Sequence, residues 1–562
     1  MIIIKGRASY GGIALGNIFV YNREQEKVTE YQVVDIEGEI ARFESARQIA
    51  AEQLDALYEQ AKDAVSEETA MIFQVHKMLL EDQEYIDSIT QIIKAKCKNC
   101  EIAIQETMER FIMLFEHMEE DYMKARAADI KDISERLKKI LLDSTIPVHN
   151  FKEPVIILAD DLLPSEVMQL EKSQVLALVL CHGTTNSHAA ILARTMNIPA
   201  IFGIDTEFGM EQEGMESYGM QYDKKSAIVN GNTGEFIIEP DAETIQNAVT
   251  ELNKEIKKNR AYQELKGKEN ITQDGQEVKV CANIGSAKEL EIVFQNDADG
   301  VGLFRSEFIF MESKQEPTEE EQFKIYRKVA EGMKGKKVTI RTLDIGADKQ
   351  VPYFQMEQEA NSALGCRGIR VTLEKVELFK NQLRALYRAS AYGKLSILFP
   401  MIVSVEEVYS IKKICEEVKK QLRAEQIPFD EQVRLGAMIE TPAAVMVSEE
   451  LAKEVDFFSI GTNDLTQYTL AMDRQNPKLA SIYNTHHPAI LRMIDMTAKH
   501  AHKQGIPVGI CGELAADLDL IPIFLSMGID ELSVSPDRIL PIRQTIRELN
   551  ISEIKNYLLK NL

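Results

Sequence analysis

Between Val278 and Val534 the chain alternates short strand-like runs with longer helical ones, about eight strands in roughly 300 residues, which confines this half to a parallel (β/α)8 barrel. The runs are Val278–Asn283, Gly300–Phe304, Val338–Thr342, Leu395–Met401, Leu435–Ile439, Asp456–Ile460, Pro507–Cys511 and Glu531–Val534. The segment Gly365-Cys366-Arg367 also has the character of a strand, which leaves the register open. Reacting groups in such a barrel belong at the C-terminal ends of the strands. The residues that fall there are Arg305, Arg341, Glu440, Asn463, Asp464 and Cys511. Guanidinium groups offer planar forks to phosphate and carboxylate oxygens, so two of them suit a doubly anionic ligand. Carboxylates from two different strands, Glu440 and Asp464, could hold a Mg²⁺ that keeps positions open for water and substrate. A phosphorylated carboxylic acid meets both requirements. Taken singly, each charged residue could instead form an ion pair at the barrel mouth. Cys511 is either a small buried apolar residue or a thiol acting as general acid.

A second feature lies upstream. The stretch Asn186-Ser187-His188-Ala189-Ala190-Ile191-Leu192-Ala193-Arg194 follows the apolar run Val175–Leu180. Asn186 and Ser187 are good N-cap types, and Ala189 to Met196 is strongly helix-forming with no breaker before Pro199. A helix is therefore expected to begin beside His188. Its free N–H groups and positive dipole end favour an anion, and a phosphorylated imidazole is one. With a reference pKa of roughly 6.5, a neutral imidazole is also a usable nucleophile near neutrality. A capping or packing histidine is the plainer alternative.

The 562 residues and 45% apolar content are enough for several ordinary domains. A formal net charge of −24 argues against nucleic acid as a partner. The seven cysteines are scattered, as reduced thiols would be, and Cys97 and Cys100 form a lone C-x-x-C with no second pair to complete a zinc site. The N-terminal apolar run breaks at Lys5, too short for a signal peptide, and no later segment reaches spanning length. A cytoplasmic protein without membrane insertion is expected.

Strand-like runs at Val155–Leu158, Val175–Leu180, Ala227–Asn230 and Glu235–Ile238 belong with the glycine-punctuated opening. From Asp35 to Leu142 apolar residues recur at helical spacing, as at Ile36, Ile40, Phe43, Ala50, Leu54 and Leu57. The expected organisation is a small α/β domain (1–30 plus 146–240) with an inserted helical bundle (31–145), a linker helix (241–265) and the barrel (266–562).

Several segments carry a family resemblance. Ile460-Gly-Thr-Asn-Asp-Leu-Thr-Gln-Tyr468 with Asp473-Arg474, Arg341-Thr-Leu-Asp-Ile-Gly-Ala-Asp-Lys349, Gly509-Ile-Cys-Gly-Glu513, Ser187-His188 with Ala193-Arg194, and Ala125-Arg-Ala-Ala-Asp-Ile-Lys-Asp-Ile133 resemble the phosphoenolpyruvate-utilising enzymes. Their order, with nothing like a nucleotide-binding domain, resembles enzyme I of the bacterial phosphoenolpyruvate:sugar phosphotransferase system over essentially the whole chain. The resemblance implies a swivelling phosphohistidine domain, phosphoenolpyruvate bound through Arg305, Arg341, Arg367, Asn463, Asp464 and Arg474, and Mg²⁺ on Glu440 and Asp464. It also implies phosphoryl transfer to His188, protonation of enolpyruvate by Cys511, onward donation to the carrier HPr docked on the helical subdomain, and a homodimer joined through the barrel. The chain departs from the family pattern at Thr184 and Asn186 before the histidine, and at Ser362, Ala363 and Cys366 around Arg367. Those departures keep open a regulatory paralogue that binds phosphoenolpyruvate without feeding sugar transport. A nucleotide-using synthase or dikinase is disfavoured by the missing nucleotide domain.

Overall fold

The computed structural model describes residues 1–21, 28–64, 67–116, 121–142, 151, 153–168, 170–181, 188–196, 198–204, 220–311, 313, 315–346, 353–354, 359, 361–474, 476, 479 and 482–554. The chain forms two compact units, Met1–Lys258 and Asn259–Leu562.

In the first unit, strands β1 (Ile2–Lys5), β2 (Arg7–Tyr10) and β3 (Ile13–Tyr21) precede helices α1 (Ile36–Ala64), α2 (Glu67–Leu80), α3 (Gln83–Lys96), α4 (Cys100–Glu116) and α5 (Asp121–Leu141). Then come β4 (Val155–Ala159), α6 (Pro164–Met168), β5 (Val175–Leu180), α7 (His188–Thr195), β6 (Ala200–Phe202), β7 (Ser226–Asn230), β8 (Glu235–Ile238) and α8 (Ala242–Gln263). The sheet runs β1-β8-β7-β3-β4-β5-β6-β2. Its central pairs, β3 with β4, β4 with β5 and β5 with β6, are parallel, and the flanking pairs are antiparallel. The five helices thus lie, along the chain, between two strands that are neighbours in one sheet.

The continuous apolar runs of β4 and β5 reflect a sheet covered on both faces. Ile157, Ala159, Leu178 and Leu180 join the core made by Phe43, Leu54, Phe73, Ile89, Ile104 and Ile133 of the helices. The alternating Ile156, Leu158, Ala177 and Val179 pack on the other face with Val20, Val229 and Phe236. A polar tie adds to this: Ser165 of α6 donates its hydroxyl to Asp132 of α5 at 2.9 Å. The Cys97–Cys100 pair sits at a helix break, where Cys97 ends α3 with φ 51° and Cys100 opens α4. All seven cysteines are free, and the Cys100 thiol donates to the Glu39 carbonyl at 3.1 Å.

The second unit is a closed barrel of parallel strands: β9 (Lys279–Ile284), β10 (Gly300–Arg305), β11 (Lys337–Arg341), β12 (Leu395–Phe399), β13 (Arg434–Ile439), β14 (Phe457–Ile460), β15 (Val508–Ile510) and β16 (Glu531–Val534). The Gly365-Cys366-Arg367 segment is not a strand, which corrects that part of the sequence expectation. It lies between a 3₁₀ turn at Ser362–Leu364 and the helix Ile369–Glu374. The reason is topological. β11 pairs directly with β12, so the closed barrel leaves no edge to receive another strand between them.

Side-chain alternation sorts the barrel into two layers of contact. Phe304, Ile397, Phe399, Ala437, Ile439 and Phe458 belong to the large core shared with the surrounding helices. Leu303, Leu398, Met438, Phe457 and Cys511 form a separate small cluster, the apolar fill of the barrel itself. Reciprocal capping boxes, Thr318 with Glu321 and Ser404 with Glu407, start two of the outer helices. Among the described residues, no helix is long and apolar enough to cross a membrane.

Candidate active site

Arg341 ends β11 and is 7% exposed. Its Nη2 donates to Glu307 Oε1 at 2.5 Å, and its Nη1 lies 3.0 Å from Asp344 Oδ2. Burial opposes its charge, but Glu307, Asp344 and Glu440 more than offset this and hold its pKa above the ordinary arginine value. Arg367, 6% exposed, reaches the same carboxylate: its Nη2 lies 3.4 Å from Asp344 Oδ2. Its Nη1 lies 3.4 Å from Asp464 Oδ1 and donates to the Tyr468 hydroxyl at 3.3 Å. The Nε atoms of Arg341 and Arg367 are buried and have no hydrogen-bond partner among the described residues.

Glu440 follows β13 and is 1% exposed. Its Oε1 accepts from the Met401 N–H at 2.6 Å, while Oε2 has no hydrogen-bond partner among the described residues. Burial, with the Asp464 and Asp344 carboxylates close by, raises its pKa well above the usual carboxylate range. Space for that free oxygen comes from Gly461, where a Cβ would stand 2.5 Å from Glu440 Oε2. Gly461 leads from β14 into the helix Thr462–Leu470, whose first turn carries Asn463 and Asp464.

Cys511 follows β15 and lies on the apolar barrel floor. Its thiol donates to the Ile460 carbonyl at 3.6 Å. Burial pushes the thiol up to about 11, so it carries its proton at neutral pH. The next residues are tied back to the Asp464 helix. Asn463 Oδ1 accepts from the Glu513 N–H at 2.9 Å, and its Nδ2 donates to Glu513 Oε1 at 3.2 Å. A Cβ at Gly512 would stand 2.0 Å from Thr462 Oγ1, so only glycine permits this approach.

Of the expected residues, Arg341, Arg367, Glu440, Asp464 and Cys511 come together as a buried constellation at the C-terminal ends of the strands. Arg305 ends β10 with its side chain exposed, and Arg474 is partly exposed, with Nη1 3.9 Å from Asp464 Oδ2. His188 opens α7 in the other unit, as the helix-forming stretch predicts. The loop 184–187, with Thr184 and Asn186, lies outside the described residues. Sequence reasoning missed Glu307, Asp344 and Tyr468 as members of the constellation. The available signal was an acidic residue two or three positions beyond Arg305 and Arg341.

Three family descriptions match the chain in order: "PEP-utilising enzyme, N-terminal" over residues 5–126, "PEP-utilising enzyme, mobile domain" over 151–234, and "PEP-utilising enzyme, PEP-binding domain" over 259–551. Fold and matches together define a phosphoenolpyruvate-utilising enzyme. Similar curated proteins narrow the class. The phosphoenolpyruvate-protein phosphotransferase of Bacillus subtilis (strain 168) is 40% identical over 556 residues, covering 99% of this chain and 96% of its own. Its namesake from Priestia megaterium is 40% identical over 556 residues (99% and 95%), and that of Staphylococcus carnosus (strain TM300) is 38% identical over 553 residues (98% and 95%). The chain belongs to the phosphoenolpyruvate-protein phosphotransferase family, the enzyme I proteins.

Proposed function

We propose that the chain takes the phosphoryl group of phosphoenolpyruvate onto its own His188 and passes it to the small carrier HPr, the entry step of sugar uptake by the phosphotransferase system. The buried constellation carries this reading: Arg341 and Arg367 beside Glu440, Asp464 and Cys511 are what a phosphorylated enol acid requires. Phosphoryl transfer depends on in-line positioning and charge neutralisation more than on covalent assistance. Arg305, Arg341, Arg367, Asn463 and Arg474 bind and orient the phosphate and carboxylate of the substrate. The P–O bond to the enol oxygen breaks as a P–N bond forms to a ring nitrogen of His188. Enolpyruvate then takes the Cys511 thiol proton at its methylene carbon, and solvent returns a proton to the thiolate. A thiol held protonated by burial suits that role.

The donor set also fits a divalent cation. Buried carboxylates that repel each other, one with an unpartnered oxygen, are the environment a Mg²⁺ neutralises. Glu440 and Asp464 would hold it, and it would supply positive charge against the phosphoryl oxygens.

The same reading puts the protein in the cytoplasm as a homodimer joined through its barrel, with HPr on the helical block. Domain limits of 1–30 plus 146–240, 31–145, 241–265 and 266–562 remain part of this proposal. No feature of the described site favours the purely regulatory alternative. Incubation with Mg²⁺ and ³²P-phosphoenolpyruvate tests the proposal. Acid-labile, base-stable label on the protein, absent from His188→Ala, is expected. An unlabelled parent protein that still binds phosphoenolpyruvate would overturn it.

A further inference from the structure

Asp344 has no place in the roles assigned above, yet it is the residue on which the two buried arginines converge. It follows β11 by three residues and is 2% exposed. Oδ2 lies 3.0 Å from Arg341 Nη1 and 3.4 Å from Arg367 Nη2, while Oδ1 lies 3.5 Å from that same Nη2. One carboxylate thus bridges two guanidinium groups that would otherwise repel each other across a desolvated space. The remaining Nη atoms are fixed from outside the bridge, Arg341 Nη2 by Glu307 and Arg367 Nη1 by Asp464 and Tyr468.

The backbone is arranged around the same bridge. Arg367 comes from the segment between the Ser362–Leu364 turn and the helix Ile369–Glu374. That segment is secured to the Asp344 loop by the Gly368 N–H, which donates to the Ile345 carbonyl at 3.1 Å. Gly368 has φ 58°, and a Cβ there would stand 3.2 Å from Asp344 Oδ1 and 2.9 Å from Met401 Cγ. A side chain at this position would press on the bridging carboxylate itself.

We infer that Asp344 is a positioning residue for phosphoryl transfer, which sets the separation and orientation of Arg341 and Arg367 without touching substrate. The inference rests on the reading of this constellation as the phosphoenolpyruvate site. Without the bridging charge the two arginines separate and turn, and the ligand sits off the transfer line. The net field on a substrate anion becomes more positive, so binding is not weakened. The loss therefore falls on turnover rather than on affinity.

The test is steady-state kinetics of the full chain with Mg²⁺, phosphoenolpyruvate and carrier, comparing Asp344→Asn with Arg367→Lys and the double variant. For Asp344→Asn, kcat is expected to fall at least ten-fold with KM for phosphoenolpyruvate unchanged or lower. The double variant is expected to lose no more than the worse single variant, because both changes act through one arginine. A kcat within two-fold of the parent, a loss carried wholly by a higher KM, or multiplicative losses in the double variant would overturn the inference. If Asp344→Asn does not fold, Asp344→Glu keeps the buried charge and displaces it by one methylene, and the same kcat-against-KM split is read. An Arg367→Lys variant with parental kinetics would instead count against the phosphoenolpyruvate site itself, which separates the two failures.

Discussion

Two residues in the barrel mouth, Cys511 and Gly461, decide chemistry through solvation and through space. Cys511 needs no neighbouring base, since burial already keeps its proton in place. Cys511→Ser, a far weaker acid of similar shape, is expected to slow pyruvate formation about a hundred-fold or more, within the range general acids contribute. The same burial has a stability consequence of fixed sign. The folded thiol titrates above its unfolded value, so its contribution is whole below about pH 8.5 and is lost as pH rises through about 11. Chemical denaturation of parent and Cys511→Ser between pH 7 and 11 reads this as an alkaline loss that the variant lacks. Gly461 is the second case. Its missing Cβ is the room that Glu440 Oε2 occupies, so Gly461→Ala must displace that carboxylate or the helix behind it. A stability loss of about 1–3 kcal/mol is expected from such overpacking. Weakened Mg²⁺ binding, measured by calorimetry, should accompany it. Glu440 and Cys511 were legible in the sequence because each directly follows a strand in a barrel pattern, and Asp464 because it lies within four residues of the end of one. Asp344 was not, because a carboxylate that bridges two arginines cannot be told by spacing from one that pairs with neither.

At the scale of elements, the helix Ile539–Glu548 is tied to the barrel by one buried arginine in addition to its apolar face. Arg543, 1% exposed, donates to Asn270 Oδ1 at 2.7 Å, to the Leu265 carbonyl at 3.0 Å, to Asp297 Oδ2 at 2.5 Å and to the Asp297 carbonyl at 2.6 Å. Removing one partner of such a group strands the others, at a cost of about 3–5 kcal/mol. Arg543→Ala is expected to lower the denaturation midpoint of the barrel by a corresponding amount in guanidinium titrations. Its acid limb should change too. Burial raises the Asp297 carboxyl, but the Gly267 N–H, Arg543 and Lys336 more than offset that and hold it below its usual range. Its contribution is therefore present above the ordinary carboxylate pKa and is lost as pH falls through the lowered value, a loss that shrinks in Arg543→Ala. Helical periodicity and the β4 and β5 apolar runs were readable locally, since alternate side chains serve two separate cores. The Gly365–Arg367 segment misled because a short run with small residues looks like a strand until the closed ladder removes its partner.

For the whole molecule, the division at Lys258 and Asn259 falls inside α8, which buries only Ala248 along its length. A helix so exposed gains little from its neighbours and carries the chain from one folded unit to the next. Phosphoryl transfer first from phosphoenolpyruvate and then to a carrier asks one histidine to act as acceptor in one geometry and as donor in another, which makes α8 the expected lever. An engineered crosslink between the two units, formed in either half-reaction's geometry, is expected to leave that half-reaction and block the other, as read by ³²P transfer from phosphoenolpyruvate and from phosphorylated carrier. Retention of both in the crosslinked protein would refute the lever. Calorimetry of the full chain should likewise resolve more than one cooperative transition, because each unit has its own core.

The alternation that makes the barrel, the helix that opens at His188 and the identity of the polar residues at the strand ends all follow from residue order alone. These are local properties: side-chain period, helix propensity and the position of a residue relative to its own strand. Tertiary packing settled that Arg341 and Arg367 share Asp344, that Gly461 leaves room for a free Glu440 oxygen, and that Gly365–Arg367 is a non-strand link between a 3₁₀ turn and a helix. Each depends on what a distant segment places within a few ångströms, and burial there turns ordinary charges into a coupled set whose partners no local pattern specifies.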